Sequence, residues 1–137
     1  MIEAISHITF IVRDLERMTY FLRTIFAAEE LYDSGAQMFS HSREKFFRIG
    51  GTWIAAMQGE PLGERSYNHV AFKISETEFD AYEQRVRCCG VDIRSARSRV
   101  EGEGRSLYFY DYDNHLFELH TGTLEQRLAR YSESEAE

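Results

Sequence analysis

Apolar residues recur at helical spacing in two separate stretches of the chain. The first stretch follows Asp14, a residue suited to capping a helix N-terminus, and comprises Leu15, Met18, Phe21, Leu22, Ile25 and Phe26. Before the second stretch, Ser75 and Glu78 have the spacing of a capping box, and Gly90 after it suits a C-terminal stop. The apolar stripe of this second stretch comprises Phe79, Tyr82, Val86 and Cys89. The pattern predicts two amphipathic helices.

Strand-like runs flank both helices, and their alternation predicts which way each side chain points. Val70, Phe72 and Ile74 share one face and should pack against helices, which leaves His69 on the opposite face. By the same count His7 lies beside Thr9, and Glu118 lies between Leu116 and His120. Three potential metal ligands therefore lie on the open face of a sheet.

The same supersecondary unit occurs twice in the sequence. An offset of 62 residues places His7 on His69, and the same offset places Ala56 on Glu118. We therefore expect two units of equal length, each consisting of a strand, a helix and three strands. Ala56 cannot supply a fourth ligand, so a metal at this site would keep an open side for substrate.

We expect a single domain in which module one spans about residues 3–58 and module two about residues 67–122. The intervening segment, about 59–66, contains the only proline and reads as a linker. Thr123 with Gln126 opens a short helix that extends to about Tyr131, and a frayed acidic tail should follow.

Composition excludes several classes of function. With 43% hydrophobic residues in 137 positions the chain can bury one core, and its formal net charge of -7 argues against a nucleic-acid partner. No signal peptide or membrane-spanning stretch is predicted, so we expect a cytoplasmic protein. The two cysteines, Cys88 and Cys89, are adjacent and are expected to be reduced thiols.

Two imidazoles and one carboxylate are a reasonable ligand set for a catalytic divalent metal, because they leave coordination positions open. A single strand histidine is usually a packed residue with a satisfied hydrogen bond, but the repeat favours His7 and His69 as ligands. His120 is the competing candidate, because it lies two residues from Glu118 on the same face. His41 and His115 are expected at the surface.

From about residue 1 to residue 130 the sequence resembles the FosX type of fosfomycin resistance protein, within the vicinal oxygen chelate superfamily. The segments that carry the resemblance are, in order, SHITFIVRDL, SREKFF, ERSYNH, VEGEGRS, YFYD and FELHTGTL. The resemblance implies an α+β fold of two βαβββ modules, whose curved mixed sheets surround a metal site. It also implies a homodimer in which the modules are exchanged between chains, so that each site is shared.

The implied activity is a metal-dependent epoxide hydrolase, usually with Mn²⁺, that adds water to the oxirane of the phosphonate antibiotic fosfomycin. The family's metal ligands match His7, His69 and Glu118, and its general base matches Glu44. Its substrate-binding positions match Thr9, Tyr67, Ser106, Tyr108 and Arg127. The basic residue before the glycine-containing loop corresponds to Arg97 or Arg99, because ungapped counting falls on Ser98 between them.

Two other functions are consistent with the same features. A thiol transferase would open the same epoxide on the same metal site, and Glu44 is the residue that favours water instead. A drug-sequestering protein without catalysis is the alternative from another class, and the metal triad argues against it.

Overall fold

The computed structural model describes residues 1–35, 42–100 and 102–136, with the side chains of residues 95–100 and 136 excepted. The chain forms two compact units. Unit 1 comprises Met1–Arg65 together with Asp111–His115, and unit 2 comprises Ser66–Tyr110 together with Leu116–Glu137. No helix in the described part of the chain is long and apolar enough to cross a membrane.

Each unit contains a strand, a helix and three further strands, as the repeat predicts. In unit 1 these are β1 (His7–Val12), α1 (Leu15–Phe26), β2 (Glu29–Asp33), β3 (Glu44–Ile49) and β4 (Thr52–Gln58). In unit 2 they are β5 (His69–Lys73), α2 (Phe79–Cys88), β6 (Ile93–Val100), β7 (Gly104–Tyr110) and β8 (Leu116–His120), followed by α3 (Leu124–Ala136). The sheet orders, β1-β4-β3-β2 and β5-β8-β7-β6, correspond strand for strand. In each sheet the first and last strands of the module pair in parallel and the other pairs are antiparallel, so both sheets are mixed.

Helix α1 forms as its local sequence predicts. The Asp14 carboxylate accepts the backbone N–H groups of Glu16 and Arg17 at 2.9 and 3.2 Å, which satisfies two donors that the first turn leaves unpaired. All six apolar residues of the predicted stripe are buried. The helix ends at Ala27, which has a left-handed φ of 51°.

The ends of the other two helices differ in part from the prediction. The capping box of Ser75 and Glu78 does not form: a 3-10 turn over Glu76–Glu78 precedes α2, and Ser75 Oγ lies 3.0 Å from Thr77 Oγ1. Gly90 does provide the expected stop, with φ of 66°. For α3 the capping box is confirmed, by hydrogen bonds of 2.9 and 3.1 Å between Thr123 and Gln126. The predicted end near Tyr131 is wrong, because α3 continues to Ala136.

The strand register shows that the offset of 62 residues between the two units does not hold for their last strands. His7 pairs with Trp53 in the first sheet, whereas His69 pairs with Leu116 in the second, so the last strands are offset by 63 residues rather than 62. The cause is the turn before the last strand. In unit 1 two glycines, Gly50 and Gly51, lie between the paired residues Ile49 and Thr52. In unit 2 three residues, 112–114, lie between Asp111 and His115, which are hydrogen-bonded to each other at the corresponding place.

Ala55, not Ala56, is therefore the topological equivalent of Glu118. Ala55 lies between Thr9 and Phe46 on the face that carries His7, just as Glu118 lies between Ala71 and Tyr108. Ala56 lies on the opposite, fully buried face. Since both residues are alanine, the conclusion that this position supplies no fourth ligand is unchanged.

The turn Asp111–His115 belongs to unit 1 and is held by a buried carboxylate. Asp111 accepts the backbone N–H groups of Asp113 and His115 at 2.8 and 2.9 Å, and its other oxygen lies 2.8 Å from His115 Nδ1. The expectation that His115 is a surface residue is wrong, because its side chain is only 12% exposed and lies against the buried Asp111 carboxylate. Burial, together with the nearby Asp111 charge, raises the pKa of Asp113, while the bond from the Arg13 backbone N–H opposes the shift.

Candidate functional site

Strands β5, β7 and β8 bring the predicted site residues of unit 2 onto one face of the sheet. Glu118 stands between Ala71 on one side and Tyr108 on the other, and Ser106 stands opposite His120. Directly paired residues on neighbouring strands point to the same face. The sheet therefore presents two imidazoles, a carboxylate, a phenol and a hydroxyl together.

A backbone carbonyl two residues earlier in the chain fixes the orientation of the His69 ring. Its Nδ1 lies 2.7 Å from the backbone carbonyl of Tyr67, which can only accept, so Nδ1 carries a proton and Nε2 is the ring nitrogen that could bind a metal. That Nε2 lies 3.0 Å from Glu118 Oε1. Two ligands in adjacent positions around one cation at about 2.1 Å from each are separated by roughly 3 Å, so this pair fits a divalent metal.

Tyr108 is held as a neutral hydrogen-bond donor beside Glu118. Burial and the nearby negative charge of Glu118 raise the pKa of its phenol far above the ordinary value. The Tyr67 hydroxyl donates to the Tyr108 oxygen at 3.3 Å. Tyr67 is itself exposed on one side, and the guanidinium of Arg94 lies 4.6 Å from its ring centroid.

A cleft of about 230 Å³ opens beside Glu118 and His120, and it is lined further by Ala71, Gly122, Thr123, Leu124 and Arg127. Arg127 is supplied by α3, whose capping box fixes the start of the helix one turn earlier. Its Nε lies 3.8 Å from the largely buried carboxylate of Glu103. The cleft thus offers the Arg127 guanidinium at one wall and the Glu118 carboxylate at another.

His120 lies between Ser106 and Glu118. Its Nδ1 is 2.8 Å from Ser106 Oγ and 3.4 Å from Glu118 Oε2. Burial, reinforced by the positive charges of Arg127 and Lys73, lowers the pKa of His120, although the Glu118 charge opposes the shift. The imidazole is therefore held neutral near pH 7.

Unit 1 carries the other predicted residues on the face that includes His7. His7 Nδ1 lies 2.9 Å from Ser6 Oγ, and its ring centroid is 4.2 Å from that of Trp53. Thr9 is two residues further along β1 on the same face. Glu44, at the start of β3, is partly buried. Two hydrogen bonds with Ser34 hold its backbone: the Glu44 N–H donates to Ser34 Oγ, and the Ser34 N–H donates to the Glu44 carbonyl, both at 3.0 Å.

The predicted residues are thus divided between the units. His69, Glu118, Tyr67, Ser106, Tyr108 and Arg127 are in unit 2, whereas His7, Thr9 and Glu44 are in unit 1. Within the described residues, no three or more His, Cys, Asp or Glu side chains are grouped so that they could hold a metal ion. Arg97 and Arg99 are in β6, but their side chains lie outside those that the structure describes.

Sequence reasoning missed two features of this site. Arg94 stacks on Tyr67, and no motif in the sequence points to Arg94. Only the pairing of β6 with β7 places it next to Tyr108. Gly122 was also missed, although a glycine two residues after β8 is a visible signal. A Cβ at Gly122 would lie 2.7 Å from His120 Nε2 and 2.3 Å from the Glu103 carbonyl oxygen, so only glycine fits there.

Comparison with known proteins agrees with this geometry. Residues 4–119 match the family model of the Glyoxalase/Bleomycin resistance protein/Dioxygenase superfamily. The fosfomycin resistance protein FosX of Mesorhizobium japonicum is 65% identical over 130 residues, which cover 95% of this chain and 94% of that protein. The chain belongs to the FosX family. Members of the family resemble it over nearly their whole length.

Two solved structures of FosX from Listeria monocytogenes extend the comparison. A glutamate-to-glutamine variant complexed with Mn(II) and 1S,2S-dihydroxypropylphosphonic acid is 57% identical to this chain, with a TM-score of 0.87, and the match covers 96% of this chain and 99% of that one. The same protein complexed with Mn(II) and a sulfate ion is 56% identical, with a TM-score of 0.86 and coverage of 96% and 99%. The FosX resemblance and the α+β fold expected from the sequence are confirmed.

Proposed function

We propose that this chain is a divalent-metal-dependent epoxide hydrolase that adds water to the oxirane of fosfomycin and thereby inactivates the antibiotic. The observation that carries the proposal is the pairing of His69 Nε2 with Glu118 Oε1 at 3.0 Å, beside a cleft that contains an arginine. In the FosX of Listeria monocytogenes the molecule bound with Mn(II) is a dihydroxypropylphosphonate. That diol is an epoxypropylphosphonate plus one water, which is the product of hydrolysis.

His7, His69 and Glu118 would hold the cation, with Mn²⁺ the metal favoured by the FosX structures. The set supplies two neutral imidazole nitrogens and one carboxylate, and Ala55 adds no ligand at the position equivalent to Glu118. A divalent cation held there supplies the positive charge that stabilises the oxygen released when the oxirane ring opens.

The protein's own groups account for the rest of the reaction. Glu44 would accept a proton from the attacking water, and the resulting hydroxide oxygen would form the new C–O bond as the ring C–O bond breaks. The released ring oxygen would then take up a proton from solvent, which completes the diol. Tyr108 is kept protonated by burial and by Glu118, so it is available as a donor toward substrate oxygen. The guanidinium of Arg127, the Ser106 hydroxyl, Thr9 and Tyr67 would bind the phosphonate. Arg97 or Arg99 would add the second guanidinium.

The division of the ligands between two compact units supports a homodimer with shared sites. His7 is in unit 1, and His69 and Glu118 are in unit 2. We propose that His7 comes from one chain and the other two ligands from its partner, which also follows from the family resemblance. The single-domain organisation with a linker at about 59–66, and a cytoplasmic location with Cys88 and Cys89 as free thiols, belong to the same proposal.

The decisive experiment follows fosfomycin by phosphorus NMR with catalytic amounts of protein, in parallel with Mn²⁺, with Mn²⁺ plus glutathione, and with metal removed by a chelator. In water enriched in ¹⁸O, mass spectrometry of the product should show one heavy oxygen in a diol. A thioether product with no diol would instead establish a thiol transferase. Unchanged fosfomycin, bound stoichiometrically, would establish a sequestering protein.

A further inference from the structure

The imidazole of His120 lies within hydrogen-bonding distance of one site residue and close to another. Ser106 Oγ lies 2.8 Å from Nδ1, and Glu118 Oε2 lies 3.4 Å from the same nitrogen. Ser106 and His120 are directly paired across β7 and β8, so the backbone ladder holds the two side chains together. The ring is also confined on its other side, because Gly122 leaves room for Nε2 where any Cβ would collide with it.

The neighbouring carboxylate favours a proton on Nδ1 of His120. A neutral imidazole has one N–H and one lone pair, and Ser106 could satisfy either of them at Nδ1. Glu118 Oε2 can only accept a hydrogen bond. A lone pair on Nδ1 would therefore be repelled by that carboxylate oxygen, whereas an N–H there would be attracted to it. The arrangement therefore favours the tautomer with the proton on Nδ1.

That tautomer fixes the role of the Ser106 hydroxyl. If Nδ1–H donates to Ser106 Oγ, the hydroxyl proton cannot point back at the ring and is free to donate elsewhere. A serine that donates toward the cleft stabilises an anion there, whereas a serine that donates to His120 would present a lone pair to the same anion. The direction of one hydrogen bond therefore decides whether Ser106 attracts or repels a phosphonate oxygen.

We propose that His120 is a positioning residue: its Nδ1–H, oriented by Glu118, donates to Ser106 and turns the serine hydroxyl proton toward the anionic group of the substrate. This inference rests on the proposed function, in which Ser106 contacts a phosphonate. In this arrangement His120 acts through Ser106 rather than as a metal ligand. It couples the metal-binding carboxylate to the anion-binding hydroxyl.

The tautomer can be measured directly and without turnover. Protein labelled with ¹⁵N at histidine is loaded with Zn²⁺, which is diamagnetic, and long-range nitrogen–proton correlations identify the protonated nitrogen of each ring. The His120 signals are assigned by their loss in His120→Asn. Protonation at Nδ1 is expected, and a neutral ring protonated at Nε2 would overturn the proposal.

Binding of methylphosphonate to the zinc-loaded protein, followed by calorimetry, tests the consequence. His120→Ala should weaken binding roughly tenfold, because a hydrogen bond to a charged group loses its orientation. His120→Asn should bind methylphosphonate nearly as tightly as the parent protein, because the side-chain amide N–H of asparagine takes the position of the Nδ1–H of histidine. Zinc affinity measured alongside should change much less than methylphosphonate affinity.

A double-mutant cycle with Ser106→Ala separates this role from general support of the site. If His120 acts through Ser106, adding His120→Ala to Ser106→Ala should cause no further loss of methylphosphonate affinity. A full additional loss in the double variant, or equal losses of zinc and methylphosphonate in His120→Ala, would contradict the proposal. Failure of the protein to hydrolyse fosfomycin would refute the proposed function but would leave these three measurements unchanged.

Discussion

Replacing Gly122 by alanine should both destabilise unit 2 and displace His120. The new Cβ would lie 2.3 Å from the Glu103 carbonyl oxygen, 2.7 Å from His120 Nε2 and 3.0 Å from the Glu103 carbonyl carbon. Two of these contacts are to backbone atoms and cannot be relieved by a change of rotamer. Overpacking of this kind costs about 1–3 kcal/mol, and the backbone contacts place this substitution toward the upper end of that range.

The expected change in melting temperature follows from the size of the chain. Unfolding entropy is roughly 2.1 cal/mol/K per residue, so 137 residues give about 0.3 kcal/mol/K. A loss of about 2–3 kcal/mol at the melting temperature therefore lowers it by roughly 7–10 °C. Because the ring of His120 must move away from the new methyl group, methylphosphonate binding should weaken about as much as in His120→Ala.

Gly51→Ala is the matched control, because a Cβ there meets no atom within 4 Å and the residue does not have a left-handed φ. Calorimetric melting of both variants and of the parent protein, each loaded with the same metal, gives the comparison. If Gly122→Ala melts within about 2 °C of Gly51→Ala and binds methylphosphonate like the parent protein, the close packing around His120 is refuted.

Four further outcomes are expected. Glu44→Gln should keep the fold and the metal but lower water addition by roughly 10²–10⁴-fold, whereas any thiol addition should fall less; parental hydrolysis would exclude Glu44 as the base. Glu118→Ala should lose the metal and all activity, and full metal occupancy by elemental analysis would contradict its role as a ligand. The His7→Ala and His69→Ala proteins should each be inactive alone. Mixed under conditions that allow chains to exchange between dimers, they should recover part of the activity. A fully active monomer would rule out shared sites. Asp113→Asn should melt at a higher temperature than the parent protein at pH 7. The pKa of Asp113 is raised in the folded protein, so the ionised carboxylate lowers the stability of the fold at pH 7. The difference in melting temperature should vanish below about pH 3.8, where the aspartate is protonated in both the folded and the unfolded protein.

The sequence by itself determined the features that depend on nearby residues. The stripe and the Asp14 cap of α1, the capping box of α3 and the stop at Gly90 are interactions within a few residues along the chain. Strand alternation likewise placed His69 and Glu118 on one face without any knowledge of their neighbours. The family could be inferred at that level, because it rests on residue type and spacing, and the proposed ligand set has the same basis.

Tertiary structure decided the features that depend on pairing between distant strands. The equivalence of Glu118 with Ala55 rather than Ala56 follows from one extra residue in a turn, and a constant offset along the sequence cannot detect it. His115 is largely buried although the local sequence is polar, because Phe10 of the distant strand β1 packs against it, with ring centroids 5.1 Å apart. The link from Glu118 through His120 to Ser106 exists only because β7 and β8 bring residues 14 positions apart into direct register. Such contacts depend on the closure of long loops and on the packing of both sheet faces, and a local pattern contains neither.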